Sequence, residues 1–489
     1  LLALTLLNYR TVFYLIGVLL SILAIAMLIP SAVELIIYRE RDWQEFALGA
    51  LITGSLGSLL ALSNHSRDPM ELRVAEVFLL TSLCWMTSSL FAALPIYWSS
   101  LDLDFLDSWF EVVSALTTTG STIITNLDQA PKGVLLWRAL LQWLGGTGIV
   151  LMAITILPIL RIGGMQLFRS EFSDRSEKIL PRVSQIGTAI ISMYVFFSIC
   201  CFIAFLLAGM PAFDAICHAM STVSTGGLST HDASIGFYNS YAIEIITMVF
   251  MILGGIPFIL YFRVWQGQLN SLLKDSQVRL YLSTIIVISS AMVLWNFYHT
   301  HLTWLESIRH STFTVVSIIS STGFTTTDYV LWGAFPSLLI TILSAMGGCT
   351  GSTSGGIKVF RIQILAILAL SHLRHLRRPH GVFLAIFNGK KIPETVAASV
   401  FTFVTLYFFV IFCLALSLSL CGLDFTNSLS AAIASLGNTG PGITDLLGPN
   451  GTFAPLSKAA KGLIMFAMIL GRLEILTVFV LFMPSFWRR

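Results

Sequence analysis

Hydrophobic residues run along this chain in long blocks, not in the strict alternation of a half-buried strand. Apolar runs cover approximately residues 12–37, 45–62, 71–97, 133–160, 184–209, 239–262, 279–299, 332–370, 394–421 and 458–484. Most reach the roughly 20 residues that a helical membrane span needs. Strands of a membrane barrel alternate over only about 10 residues, so the blocks predict helices, which satisfy their own backbone in lipid. The run 332–370 is too long for one ordinary span. It is interrupted by Gly347-Gly348-Cys349-Thr350-Gly351-Ser352-Thr353-Ser354-Gly355-Gly356. Glycine costs about 1 kcal/mol against alanine in a helix, so this segment predicts two half-helices joined by a loop at membrane depth. Such a loop is tolerated only where it is buried in protein or lines water.

Polar residues interrupt the apolar pattern in one recurring way. A small turn ending in glycine appears as Thr117-Thr118-Thr119-Gly120, Ser224-Thr225-Gly226-Gly227, Ser320-Ser321-Thr322-Gly323 and Gly437-Asn438-Thr439-Gly440. Each follows a short apolar stretch and lies between two long ones. With the final glycines aligned, Ser114, Ser221 and Ser317 share one offset, and Asp107 and Asp214 share another, just before a short helix. A carboxylate there favours a helix N-terminus. Serine, threonine and glycine are common in membrane helices through close packing. Four copies in register, each after a short helix, go beyond that. The pattern predicts an all-α polytopic membrane protein of four pseudo-symmetric helix–pore-helix–helix repeats around one pore. The repeats are expected at 67–165, 166–268, 269–390 and 391–489, after two additional helices within 1–66.

Composition agrees with a membrane chain and excludes an ordinary soluble enzyme. The 489 residues are 56% hydrophobic and 11% charged, whereas globular domains carry about 25% charge. The seven cysteines form no CxxC pair, so neither a disulfide framework nor a zinc site is expected. The first apolar run is long enough to span, and no convincing cleavage site for a signal peptide follows it. Charge gives the topology. If the turns enter from outside, the inner segments hold most of the basic residues, among them Arg161, Arg169, Arg175, Lys178, Arg374, Arg377, Arg378, Lys390 and Lys391. The positive-inside rule then places both termini in the cytoplasm. The outer mouth would carry Asp102, Asp104, Asp107, Glu111 and Asp128, an acidic vestibule that concentrates cations.

The turns themselves suggest a chemistry. A short helix pointing its C-terminal end into the membrane brings a partial negative charge there. Four such ends, each followed by extended backbone, would surround a cation with carbonyl oxygens in place of its hydration shell. The filter residues are Thr118, Thr119, Gly120, Thr225, Gly226, Gly227, Ser321, Thr322, Gly323, Asn438, Thr439 and Gly440, with K⁺ at the backbone carbonyls of Thr119, Gly226, Thr322 and Thr439. No carboxylate lies in the turns, which disfavours Ca²⁺ or Mg²⁺. The run of consecutive glycine, aromatic and glycine typical of potassium channels is absent, so one firm glycine layer with weaker discrimination is expected. The loop Gly347–Gly356 would act as a gate below the filter. Arg472, midway along the last run, would be a barrier or a tie to that loop, because a buried arginine in a membrane helix is expensive and usually functional. A pair between Arg472 and Glu474 is disfavoured by their i, i+2 spacing. Lys358 is expected nearer cytoplasmic water. His372, His375, His380 and His310 make no metal set.

These features resemble the Trk/Ktr/HKT superfamily of potassium transporters over essentially the whole chain. The most specific phrases are Gly347–Lys358 and Asn438-Thr439-Gly440-Pro441-Gly442. The two extra N-terminal spans resemble the TrkH/TrkG-type branch. The resemblance implies K⁺ uptake across the bacterial inner membrane, filter glycines at Gly120, Gly227, Gly323 and Gly440, and a gating loop at 347–356 beside Arg472. It also implies a homodimer, and a cytosolic RCK-type, TrkA-like subunit that senses NAD(H) or ATP/ADP. This chain has no nucleotide fingerprint of its own, and loops 161–183 and 371–393 are the candidate contacts for that partner. The fourth turn departs from the pattern with Gly437-Asn438, which makes Rb⁺ or some Na⁺ passage plausible.

Two other readings compete. A Na⁺- or H⁺-coupled symporter would also use broken helices at the midplane, with Glu474 as the main candidate relay. A polytopic membrane enzyme would need clustered His, Asp or Glu at a membrane face, and no HExxH, GxSxG or paired-carboxylate motif stands in such a setting. Channel-like conduction without enzymatic activity fits the residues better.

Overall fold

The computed structural model describes residues 9–66, 73–155, 183–268 and 270–487. Among these, eight helices are long and apolar enough to cross a membrane, or ten if each of two bent helix pairs counts as one span. Helices α1 (Tyr9–Val33) and α2 (Trp43–Ser63) form the N-terminal pair. They meet through small residues: a Cβ on Gly57 would lie 2.8 Å from both the Gly17 carbonyl and the Ser21 amide. Backbones approach this closely only where side chains are minimal. The pair docks on the first repeat, where the Gly133 amide donates to Glu34 at 2.8 Å and the Ser100 hydroxyl to Asp42 at 2.8 Å.

Four repeats follow. The first consists of α3 (Val74–Ala92), the pore helix α4 (Phe105–Leu116) and α5 (Lys132–Thr155). The second consists of α6 (Val183–Leu207), the pore helix α7 (Ala212–Val223) and the pair α8 (Tyr241–Gly254) and α9 (Phe258–Trp265). The third has α10 (Ser276–His299), the pore helix α11 (Trp304–Ile319), α12 (Ala334–Met346) and α13 (Val359–Arg377). The fourth has α14 (Glu394–Leu420), the pore helix α15 (Phe425–Leu436), α16 (Lys458–Arg472) and α17 (Ile475–Phe479).

The pore helices start at defined stops. The Asp104 side chain accepts from the Asp107 amide at 2.9 Å, and Thr303 forms a capping box with Glu306. Asp107 and Asp214 therefore lie inside the first helical turn and not just before it, because Asp104 and Pro211 occupy the capping positions. The acids still face the positive end of the helix.

Two further spans are broken where the apolar pattern gives continuous runs. The α8–α9 pair bends by 93° and the pair formed by α16 and the following segment by 110°. The first break falls at Gly255-Ile256-Pro257, and proline cannot continue a hydrogen-bonded helix. The second falls at Leu473-Glu474, with Glu474 at φ 62°. A two-stranded hairpin, Ile386–Phe387 with Lys390–Lys391, follows α13, so the chain is not helical throughout.

Candidate functional site

Each pore helix ends in the same way. The residue two before the final glycine is left-handed: Thr118 at φ 51°, Thr225 at 51°, Ser321 at 55° and Asn438 at 52°. The next amide reaches back into the last helical turn, Thr119 to the Ser114 carbonyl at 2.8 Å and Gly226 to Ser221 at 2.9 Å. Thr322 reaches Ser317 at 2.9 Å and Thr439 reaches Ala434 at 3.0 Å. This is a Schellman cap, and it consumes carbonyls that a helix end leaves free. The shared serine offset is thus a shared backbone acceptor. Hydroxyls hold the turns from behind, Thr117 with Thr119 at 2.7 Å and Ser320 with Thr322 at 2.7 Å.

The four turns close into a ring. Gly120, Gly227, Gly323 and Gly440 have φ of 86°, 77°, 85° and 92°, a region that side chains resist. A Cβ on Gly120 would overlap the carbonyl oxygen of Gly226, one on Gly227 that of Thr322, and one on Gly323 that of Thr439. A Cβ on Gly440 would lie 2.7 Å from the Thr119 oxygen and complete the circuit. Every glycine therefore packs on the carbonyl that precedes the glycine of the next repeat, in chain order around one axis. These are the four carbonyls expected to hold K⁺.

On one side of the ring lies a cavity lined by the four glycines and the residues that follow them, among them Thr122, Ser229 and Thr325. On the other side lies the loop 347–358. Thr353 touches the second turn, its Oγ1 3.0 Å from Thr225 Oγ1, and the Gly355 amide donates to Ser321 Oγ of the third turn at 2.7 Å. A Cβ on Gly355 would overlap the Gly437 carbonyl of the fourth turn. The loop folds tightly on itself, with Gly347 against the Gly355 carbonyl, Gly348 against Ser354, and Ser352 donating to the Cys349 carbonyl at 2.6 Å. Ten such residues need backbone partners. Cys349 donates to the Gly255 carbonyl at 2.9 Å and Thr353 to Gly254 at 3.2 Å, while Phe258 donates to Gly351 at 3.1 Å. Thr350 donates to Gln277 at 3.3 Å. The break of the second repeat and the loop of the third, ending at Gly356, satisfy each other's polar backbone, as a membrane interior demands.

The break of the fourth repeat grips this loop. Arg472 Nη1 donates to the Thr353 carbonyl at 2.8 Å. Glu474 pairs with Arg361 and lies 3.8 Å from Lys358. Lys358 is thus buried in the protein and not near cytoplasmic water, since Glu474 supplies its countercharge. Arg361 is a functional candidate that the apolar pattern hides: it is buried, and its guanidinium stacks 3.8 Å from the Phe403 ring centroid. Asn438 donates 2.9 Å bonds to Thr119 Oγ1 and to the Met468 carbonyl, so the departure in the fourth turn ties the first turn to the last helix.

Four of the five predicted outer acids are paired, and Asp102 is exposed. Asp104 pairs with Lys458 at 2.6 Å, Asp107 with Lys461 at 2.6 Å and buried Glu111 with buried Arg138 at 2.7 Å. Asp128 pairs with His231. The bases come from distant parts of the chain that fold beside the acids, which solvent exposure of the loops would not suggest. His231 stacks face to face on Phe237 and its Nε2 lies 3.3 Å from Asp214. Burial alone would lower the His231 pKa, but the hydrogen bonds and charges of Asp214 and Asp128 raise it above its ordinary value. Burial likewise pushes Asp214 up, yet bonds from His231 and Thr230 outweigh it and hold the carboxyl at about 2. Of the predicted inner loop 161–183, residues 161–182 lie outside the described residues.

Comparisons with known proteins agree with this architecture. The sequence model of the TrkH family, described as a cation transport protein, matches residues 42–489. The Trk system potassium uptake protein TrkI of Halomonas elongata is 40% identical over 487 residues, covering 99% of this chain and 98% of the relative. TrkH of Escherichia coli K12 is 35% identical over 488 residues, covering 98% of this chain and all of that protein. The crystal structure of the potassium transporter TrkH from Vibrio parahaemolyticus matches with a TM-score of 0.90 at 33% identity, over 98% of this chain and 99% of that one.

Proposed function

The chain belongs to the TrkH family of cation transport proteins, and we propose that it is the membrane subunit of a bacterial potassium uptake system. K⁺ passes through the ring of Thr119, Gly226, Thr322 and Thr439 carbonyls in a channel-like manner. The observation that carries this reading is the closed circuit in which each of the four glycines packs on the carbonyl of the next repeat. A circuit of this kind surrounds one axis with oxygens and lets no side chain intrude, which is how a filter replaces an ion's hydration shell.

Loop 347–356 is the gate. Its contacts with three of the four turns support a position across the pathway, and the tie from Arg472 to Thr353 holds it there. The subunit works as a homodimer in the bacterial inner membrane, with both termini in the cytoplasm. A cytosolic RCK-type, TrkA-like partner that binds NAD(H) or ATP/ADP sets the gate through the basic loops, of which 371–393 carries Arg374, Arg377, Arg378, Lys390 and Lys391. The repeats at 67–165, 166–268, 269–390 and 391–489 act as the four staves of one pore. Coupling to Na⁺ or H⁺ is the second reading. Its candidate relay, Glu474, is engaged by Arg361 and Lys358, which favours uncoupled conduction.

The test is ⁸⁶Rb⁺ uptake into proteoliposomes of purified protein under an imposed K⁺ gradient. Uptake blocked by K⁺ but not by Na⁺, and surviving collapse of Na⁺ and H⁺ gradients, supports the proposal. Uptake that vanishes with those gradients supports the symporter. No flux, with or without the cytosolic partner, refutes both.

A further inference from the structure

Behind the ring, on the side of the cavity, one buried ion pair touches the backbone of two repeats at once. Glu111 of the first pore helix and Arg138 of α5 are almost fully buried, at 0% and 1% side-chain exposure. Removing two charges from solvent is costly unless the remaining lone pairs and protons are also satisfied. Here they are spent on the strands that leave the filter turns. Glu111 accepts from the Ile123 amide at 2.8 Å and from Thr122 Oγ1 at 3.0 Å, just beyond Gly120. Arg138 donates to Thr122 Oγ1 at 3.2 Å and to the Ser229 carbonyl at 3.3 Å, just beyond Gly227. One turn further along α5, Gln142 accepts from the Leu228 amide at 3.2 Å.

The brace is lopsided. Glu111 lies nine residues before its filter glycine, and the equivalent positions in the other repeats are His218, Thr314 and Ala431. His218 plays the same part with a neutral contact, its Nε2 2.9 Å from Ser229 Oγ. The exits of the third and fourth turns are held by bonds between neutral groups: Ser317 donates to the Phe324 carbonyl at 2.6 Å and the Thr325 amide to Ser234 Oγ at 3.3 Å, while Tyr329 donates to the Gly442 carbonyl at 2.8 Å and the Ile443 amide to Ser430 Oγ at 2.9 Å. Charge-assisted, forked bonds are roughly twice as strong as neutral ones and fix direction as well as distance.

We propose that Arg138, acting through Glu111 and Thr122, is a positioning residue for ion selectivity that fixes the separation of the first two filter turns. Ring contraction around a smaller cation such as Na⁺ would have to drag Ile123, Thr122 and Ser229 against this fork. The first half of the ring is therefore the stiff half, and K⁺ over Na⁺ discrimination depends on it more than on the second half. The inference rests on the filter reading of the previous subsection.

The experiment is Na⁺ competition against ⁸⁶Rb⁺ uptake in reconstituted Arg138→Lys and Thr122→Val. Lysine keeps the charge but loses the fork; valine removes only the hydroxyl that both charged groups touch. The Na⁺ concentration that halves uptake is expected to fall about tenfold in each variant, the loss of a charge-assisted bond, with maximal uptake largely retained. A purely structural role would lower maximal uptake and leave Na⁺ competition unchanged. Wild-type competition in a variant that transports Rb⁺ overturns the proposal, as does failure of both variants to fold, which would make the pair a folding element. Absence of uptake in the wild type would instead refute the filter reading itself.

Discussion

Arg472 Nη1 donates to the backbone carbonyl of Thr353 at 2.8 Å, joining the broken helix of the fourth repeat to the middle of the glycine-rich loop. Thr353 itself contacts Thr225 of the second turn, so a single residue of the loop is held from both sides. Arg472 is buried, and its Nε and Nη2 find no other hydrogen-bond partner among the described residues. A cation placed under four converging helix ends also opposes the passage of another cation. Arg472→Ala removes the tie and the charge together. Basal ⁸⁶Rb⁺ uptake without any cytosolic partner is expected to rise several-fold. Unchanged or lower basal uptake in folded protein would mean that the arginine does not restrain the pathway.

The third glycine of the ring, Gly323, gives a second expectation. A side chain on Gly323 meets the Thr439 carbonyl and sits 2.6 Å from Pro441 Cδ, at a φ of 85° that L-residues rarely adopt. Gly323→Ser must therefore displace the fourth turn or twist its own. Discrimination of Rb⁺ against Na⁺ is expected to drop by about tenfold, corresponding to roughly 1.4 kcal/mol. Retention of wild-type competition would show that the carbonyl ring does not select.

Much of this architecture was legible in the sequence, and the exceptions have physical causes. Hydropathy located the spans because lipid demands long apolar helices, and the turn glycines marked the ring because only glycine fits against the neighbouring carbonyl. The run Gly347–Gly356 announced its own break by excess glycine. The break at Gly255-Ile256-Pro257 was hidden inside an apolar run, since membrane helices tolerate Gly and Pro when neighbours take up the freed backbone groups. Its partner is loop 347–358, nearly a hundred residues away. Glu111 read as an acid of the outer mouth because its pairing with Arg138 depends on the packing of the pore helix against α5, which no local pattern encodes.

The outer clamp around His231 carries a pH dependence. Both ring nitrogens face carboxylates, Nδ1 toward Asp128 and Nε2 toward Asp214, while Phe237 stacks on one face and Tyr238 meets the ring edge-on. His218 is the nearest other imidazole, bonded to the Asp214 carbonyl at 2.8 Å, and Asp232 on the same loop is turned to the Leu127 amide at 3.1 Å. The His231 pKa is raised from 6.5 in the folded protein, so its contribution is fully present below pH 6.5 and is lost as pH rises through the folded value. Asp214 is depressed from 3.8 to about 2, so its contribution is present above pH 3.8 and lost as pH falls toward 2. The clamp is thus strongest between those limits. Thermal unfolding of detergent-solubilised protein should move down by roughly 1–2 °C between pH 6 and pH 9. His231→Gln should abolish that difference while lowering the pH 6 value. An identical pH profile in the variant would assign the dependence to another group.

Glu474 separates the two transport readings. Its carboxylate lies between Arg361 and Lys358, both buried, with Arg361 also donating to the Ile357 carbonyl at 3.0 Å. Removing one partner of a buried pair leaves an uncompensated charge and costs roughly 3–5 kcal/mol. Glu474→Gln is therefore expected to lower the yield and thermal stability of the protein, with part of the loss restored when Arg361 is also replaced by Met, a side chain of similar reach that carries no charge, since Lys358 still lacks its countercharge. The double variant is the informative one. If Glu474 only anchors the end of the gating loop, the folded double variant conducts ⁸⁶Rb⁺, and its uptake ignores an imposed pH or Na⁺ gradient as the wild type's does. If the carboxylate instead carried a coupling proton or sodium ion, wild-type uptake would follow the gradient and the double variant would lose that response while still binding K⁺. A gradient-driven wild type with an unresponsive double variant would overturn channel-like conduction in favour of coupling through this residue.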